Sequence, residues 1–450
     1  MIDMIKLSIP FKGAYLINTS LSDDGFVSYV DIKECSRRGV SLEARSVTFC
    51  AFDADSSMMD DSDKYELSDL RHPYQSLPTS FTGMAFKIFQ GTPLRPACVE
   101  LKASPAKIIQ GHNVYGSTCL EFGALEMIQA LIHTLPDFFD MLDVPNTTLD
   151  LLDCTFSARV ANSSQVKQVI NQLKNISHKQ MRKSVLNEHE TTCYFSRGSR
   201  HVDRKAYSKG DEFKRQFEQL KSKASKGDCT HNRMIEVMSN PELQNFARNL
   251  IRFECSAKRR YLDEFNVPKN LFDAITFQYE YEENGSCLIT DIWKKAFQPL
   301  LESLQGQTMN IFNDDEVYSK LKHLYKKALK PKIENGVAYN RFSYAKADRV
   351  FRFYRSLVSD GYDSVLDTFS SRATFYRQLS LLLDAGFSKA QLQNLKGNGL
   401  DNVVPLLQVI EIDFNNQRPS NWVEPIPPIL AAYESGDFEA LSNVVAFKAA

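Results

Sequence analysis

Ile251-Arg252-Phe253-Glu254-Cys255-Ser256-Ala257-Lys258 alternates without a break between apolar and polar residues. Successive side chains of a β-strand point to opposite faces, so Ile251, Phe253, Cys255 and Ala257 read as one buried face and Arg252, Glu254, Ser256 and Lys258 as the other. The pattern recurs in Leu152–Ala158, where Asp153, Thr155 and Ser157 oppose apolar partners. It recurs again in Ala97–Lys102, where Glu100 and Lys102 oppose Ala97, Val99 and Leu101. Thr191–Phe195 and His201–Ser208 flank the polar turn Ser196–Arg200, which predicts a hairpin. On its second arm His201, Asp203, Lys205, Tyr207 and Lys209 share one parity, with Arg204 on the other weakening the pattern.

Helical periodicity fills the intervals, at Leu120–Leu135 and Ser163–Ile176. Asp211–Lys226 reads as a basic helix with acids in its first turn, as the helix dipole favours. The N-terminal part is therefore mixed α and β. Beyond about residue 290 helical spacing dominates, in Trp293–Leu304, Asp315–Leu329, Tyr344–Val358, Ala373–Ala385 and Ser388–Leu395. A chain of 450 residues exceeds one small core. A boundary at Gly306-Gln307-Thr308 divides it into an α+β domain, 1–305, and a mainly helical domain, 306–450. The Pro-rich stretch 418–428 reads as a tail packed on the surface.

Charge is unevenly placed behind a formal net value of −1. Residues 53–69 hold seven acids against Lys64, 197–226 hold ten Lys/Arg against four acids, and 320–332 hold six lysines and no acid. Local basic blocks on a neutral chain point to defined nucleic-acid surfaces, with the acidic run opposing nonspecific binding. The nine cysteines include no C-x-x-C pair, which excludes a zinc ribbon and argues against a disulfide framework. No stretch approaches the ~20 apolar residues of a membrane span and no signal peptide is visible, so a cytosolic protein is expected.

The chemistry is expected on the polar sheet face. If neighbouring strands pair, Glu100, Asp153 and Glu254 converge there. Hard oxygen ligands of this kind suit Mg²⁺ or Mn²⁺, which keep water positions for substrate phosphate. Tyr207, in Arg204-Lys205-Ala206-Tyr207-Ser208-Lys209, sits among cations. A phenol with a pKa of about 10 becomes a nucleophile only with help. Lys205 and Lys209 are expected to favour its phenolate, and a metal on the phosphate to lower the barrier further.

Several longer runs are recognisable. They are His72–Thr79, Val99–Lys107, Gln110–Gly116, Asp153–Arg159, Arg252-Phe253-Glu254, Asn270–Ile275 and Asn402–Leu406, in one order from Met1-Ile2-Asp3-Met4 to Gln417-Arg418-Pro419. Through them the chain resembles, over its full length, the gene II replication initiators of filamentous bacteriophages. The resemblance implies an antiparallel-sheet nicking domain. It implies an enzyme that nicks the plus strand of the double-stranded replicative form at the origin and stays linked to the 5′ phosphate through tyrosine. The 3′ hydroxyl is left for host polymerase, and the displaced single strand is later cut and circularised.

The family's linking tyrosine stands in an Ala-Tyr-x-Lys context, which Ala206-Tyr207-Ser208-Lys209 matches, with Lys209 expected to steady the phosphate or the phenolate. The family's internal start at Met-Asn-Ile is matched by Met309-Asn310-Ile311, so the C-terminal region is expected to be made alone as well. Implied partners are origin DNA, host helicase, polymerase and single-strand-binding protein, with self-association on the origin, in the host bacterial cytoplasm.

The chain departs from other rolling-circle initiators in lacking His-x-His. Either the metal site is carboxylate-rich, with Asp153, Glu254 and Glu100, or His112 joins Asp153 and Glu254. DNA contacts are expected from Lys205, from Lys214, Arg215, Lys221 and Lys223 on the basic helix, and from Lys326 and Lys327. Tyr194, across the hairpin, is a candidate for the closing cut. Two other readings remain: a non-catalytic origin-binding copy-control protein, which needs neither Tyr207 nor the carboxylates, and a hydrolytic nuclease, which forms no adduct.

Overall fold

The computed structural model describes residues 1–21, 25–42, 46–51, 65–174, 191–227, 231–304, 308–310, 314–334, 337–387, 389–393, 395 and 403–436. Most of the acidic run, residues 53–63, lies outside them, as do Gly306, Gln307 and Ile311.

An eight-stranded antiparallel sheet organises the N-terminal part. Its strands are β1 (Ile2–Pro10), β2 (Gln75–Pro78), β3 (Gly83–Phe89), β4 (Cys98–Ala103), β5 (Thr148–Arg159), β6 (Thr192–Phe195), β7 (Val202–Ser208) and β8 (Leu250–Lys258). They lie in the order β6-β7-β8-β5-β1-β4-β3-β2. The register pairs Phe253 with Phe156 and Glu254 with Thr155, and Lys205 with Glu254 on the other side. The alternation read from the sequence therefore separates two faces across the strands.

The apolar face is covered by helices. On α1 (Leu120–Thr134), Ala124, Met127 and Leu131 are buried, and the backbone of Gly123 comes so near Ile5 that a Cβ there would lie 2.8 Å from its Cδ1. On the helix Leu288–Ser303, Trp293 donates Nε1–H to the Phe253 carbonyl at 2.9 Å and packs edge-on against Phe156. Each large side chain buried this way contributes roughly 1.5–3 kcal/mol.

Helix α2 (Ser163–Lys174) packs against the hairpin strands β6 and β7. Over the polar face near Tyr207 lies a second layer, in which α3 (Lys209–Ala224) follows β7 directly. Ser208 caps α3 by accepting from the Asp211 N–H at 3.3 Å, and Asp211 and Glu212 occupy the first turn. Phe213 and Leu220 pack with Met234, Met238, Leu243 and Val114 in a small separate core. Gly210 makes the fit possible: a Cβ there would meet the Arg248 carbonyl oxygen at 2.6 Å. Gly210→Ala is expected to cost about 1–3 kcal/mol through this overlap with rigid backbone, read as a lower denaturant midpoint with an unchanged m-value.

The chain forms two compact units, Met1–Glu302 with Ile412–Ala450, and Ser303–Glu411. In the second, Leu321 from Asp314–Tyr325, Val350, Tyr354 and Leu357 from Ala345–Asp360, and Phe375 and Leu379 from Arg372–Asp384 share one core. Two features differ from the sequence reading. The helix expected over Asp315–Leu329 ends at Tyr325, and Lys327–Glu334 pairs with Val337–Ser343 as a hairpin. The strand register shifts between Leu329 and Lys332, where Pro331, with no backbone N–H to give the ladder, falls. The described residues from Ile412 onward, expected in the second domain, lie with the first unit. The Gln417 side chain hydrogen-bonds both the N–H and the carbonyl of Ser157, and Trp422 Nε1 donates to Gln110 Oε1 at 3.3 Å. No helix among the described residues is long and apolar enough to cross a membrane.

Candidate active site

Tyr207 projects from β7 onto the polar sheet face, beside its cross-strand neighbour Arg252. Its hydroxyl donates to Glu254 Oε2 at 3.2 Å. Glu254 Oε1 takes the Lys205 ammonium at 2.6 Å, and that ammonium lies 5.4 Å from the Tyr207 ring centre. The phenol is buried, at 7% exposure. Burial, and then the Glu254 carboxylate, hold it well above its ordinary value, with Arg252 opposing. This reverses the expectation that flanking cations favour the phenolate: Lys205 pairs with Glu254, and Lys209 pairs elsewhere.

Three carboxyl groups gather on this face. Asp153 on β5 pairs in register with Ser256 of β8, one alternation from Glu254. Asp3 lies where β1 shifts register, between Ile2 opposite Cys154 and Met4 opposite Asp153. Such a bulge re-aims a side chain, which is why strand parity alone did not place Asp3 in the site. Burial raises Asp153 to about 6. Burial, then Asp3, raises Glu254 to about 8 despite Lys205. At Asp3 burial acts upward too, but Arg252 and Lys209 outweigh it and hold the group at about 2.

Asp153 Oδ1 is buried with no hydrogen-bond partner. Lys205 offsets the charge of Glu254, which leaves the Asp153 oxygen as the one that a further positive charge would satisfy. Among the described residues no three or more His, Cys, Asp and Glu close around an ion position. The donor set nonetheless fits Mg²⁺, which is commonly held by one or two carboxylates with water and substrate phosphate completing the shell.

A buried polar scaffold holds this face. Arg252, 1% exposed, donates to the carbonyls of Asn113 and Val114, and Nε reaches Ser157 Oγ at 3.4 Å. Lys209 Nζ donates to Asn113 Oδ1 at 2.7 Å and to Glu212 Oε2 at 2.6 Å, and burial lowers it to about 8. Asn113 Nδ2 in turn donates to Asp3 Oδ1 at 2.8 Å. Lys209 is thus committed to positioning Asn113 and Glu212, in place of the expected phosphate contact. Arg252, Asn113 and Asp3 are the site residues that the sequence reading missed as such. Arg252 was legible as a charge inside an apolar strand.

Two expected metal ligands are otherwise engaged, and Glu100 also lies at a distance. Glu100 shares the sheet face, but it is opposite Ser8 while Asp153 is opposite Met4. Two strand spacings and four residues of rise put it roughly 16 Å away. It is instead the hub of an ion-pair group, with Lys6 at 2.9 Å, Arg95 at 3.2 Å and the Tyr74 hydroxyl.

His112 is buried, and its Nδ1 accepts the Val114 N–H at 3.3 Å, so that lone pair is taken. Burial, then Lys209 and Arg252, push His112 down to about 3. Because its folded value lies below the unfolded 6.5, stability is lost as pH falls from 6.5 toward 3, at about 1.4 kcal/mol per unit. His112→Gln is expected to flatten that part of a melting-temperature profile, and an unchanged acid limb would contradict the assignment.

The expected DNA contacts divide. Lys205 is held by Glu254. Lys214, Arg215, Lys221 and Lys223 are exposed on α3, and Lys326 and Lys327 are exposed at the start of the second-unit hairpin. Tyr194 stands opposite Lys205, which puts it on the same sheet face as Tyr207, with Arg197 5.0 Å over its ring.

Two family models match the chain: the N-terminal region of the gene II replication-associated protein over residues 1–284, and its C-terminal region over 338–428. The chain is 41% identical to the replication-associated protein of Salmonella phage IKe over 428 residues, 95% of this chain and 97% of that protein. It is 40% identical to the protein of the same name from Enterobacteria phage M13, over 95% of this chain and 99% of the relative.

Proposed function

The chain belongs to the family of gene II replication-associated proteins of filamentous phages, and from that premise we propose that it starts rolling-circle replication by nicking the origin through Tyr207. The observation that carries the reading is the hydrogen bond from the Tyr207 hydroxyl to Glu254, within a group of desolvated carboxyls. With Glu254 ionised, a form that gains as pH rises toward its value of about 8, the Tyr207 oxygen attacks the phosphorus of the plus strand while its proton passes to Glu254 Oε2. The bond from phosphorus to the 3′ oxygen breaks, that oxygen takes up a proton, and the 5′ phosphate remains on Tyr207.

Lys205 orients Glu254, and the Arg252, Asn113 and Lys209 scaffold fixes Asp3. Asp153 and Glu254 are the residues that would hold a divalent cation, which when bound supplies charge neutralisation at the phosphate. The phosphotyrosine conserves the energy of the cut bond, so closing the displaced strand needs no nucleotide cofactor.

Incubating the full chain with supercoiled origin plasmid and Mg²⁺ tests this. Nicked circles carrying covalently bound protein are expected. Nicks without an adduct would establish a hydrolytic nuclease instead, and binding without nicks a copy-control protein. Phosphate contacts through α3 should make binding strongly salt-dependent.

A further inference from the structure

The polar sheet face does not end at the carboxyls: beyond Met4 it continues through β1, β4 and β3 as a band of cations and aromatic rings. Lys6 stands opposite Lys102, and Lys87 opposite Glu100, so Lys6, Lys87 and Lys102 share that face across three strands. Tyr74, just before β2, is 43% exposed. Lys87 Nζ lies 5.4 Å from its ring centre and 4.8 Å from that of Phe89, and Lys102 Nζ lies 5.8 Å from Tyr74. The Arg95 guanidinium lies 4.2 Å from the Phe89 ring centre. Against these four cations stand Glu100, 1% exposed, and Asp150, which Ser8 engages. The Tyr74 hydroxyl is fixed on Glu100, so the ring is anchored at its tip and open at its side.

We propose that this band is a track for single-stranded DNA, on which Tyr74 and Phe89 stack unpaired bases and Lys87 and Lys102 contact phosphates, while Lys6 and Arg95 offset the charge of Glu100 beneath them. The proposal rests on the reading of Tyr207 as the nicking residue, because it supplies a path for the strand next to the cut. From β7 to β3 the shared face crosses five strand spacings, roughly 24 Å, a span of a few extended nucleotides. Charge complementarity selects a polyanion, and accessible rings flanked by cations select unpaired bases over a duplex, whose π-faces are already stacked.

The test uses the full chain and fluorescence anisotropy with a labelled oligothymidine and with a hairpin duplex of matching length. Tyr74→Leu is expected to weaken oligothymidine binding by about tenfold or more. Tyr74→Phe, which keeps the ring, should bind within about twofold of wild type and guards against a folding artefact. Replacing Lys87 and Lys102 by Gln together should reduce the salt slope for the single strand by about 1.4. Unchanged binding by Tyr74→Leu would overturn the track, and so would an equal loss on the duplex. A protein that binds through Tyr74 but never forms a DNA adduct would sink the nicking reading and leave the track standing.

Discussion

Tyr207→Phe should abolish the covalent protein–DNA product and reduce origin nicking on the order of 10⁴-fold or more, the loss typical of removing a catalytic nucleophile. Phe keeps the ring and its place beside Arg252 and removes only the oxygen. The structural cost is one hydrogen bond to Glu254, about 1 kcal/mol. The variant should therefore melt near wild type and bind origin DNA with wild-type salt dependence. Residual nicking with an adduct would show that another residue is the nucleophile, and Tyr194, on the same face, would be the first to replace. Wild-type nicking with no adduct in either protein would make the reaction a hydrolysis.

Asp153→Asn should separate activity from stability. The expected loss in nicking is about 10²–10³-fold, the scale of losing metal-assisted charge stabilisation at a phosphate. Without Mg²⁺ the variant should melt at or above the wild-type temperature, because a buried carboxylate with an unpartnered oxygen beside Asp3 and Glu254 is a liability when no cation is bound. Added Mg²⁺ should raise the wild-type melting temperature, as any ligand of the native state does, and should leave the variant unmoved. A persistent Mg²⁺-dependent rise in Asp153→Asn would place the cation on other residues.

Much of this was legible in the sequence because period-2 alternation reports which face a residue is on. Alternation puts Glu100, Asp153 and Glu254 on one face and Lys205 and Tyr207 on one parity of the hairpin arm, and the register joins the two sets on the same face. Parity does not report how far along a strand a residue sits, and that offset separates Glu100 from Asp153. It also fails at a bulge, where Asp3 is the extra residue between Ile2 and Met4. Nor does it report which partner claims a charge: Lys209 looked available beside Tyr207 but is enclosed by Asn113 and Glu212. In the second unit the lysine-rich spacing suits a helix as far as Leu329, and periodicity carries no sign that the chain leaves the helix at Tyr325 to pair as a strand.

The resemblance placed the chemistry on Tyr207, and the structure adds the reason this phenol needs its surroundings. Burial keeps it neutral, so under the proposed chemistry the Glu254 carboxylate that accepts its hydrogen bond is the group that takes its proton.

The most direct measurement is mass spectrometry of the peptide left on DNA after the full chain has been incubated with supercoiled origin plasmid and Mg²⁺ and digested with protease. A 5′-phosphorylated nucleotide on Tyr207, within Ala206-Tyr207-Ser208-Lys209, is the predicted result. An adduct on any other residue, or nicked DNA with no attached peptide, would contradict it.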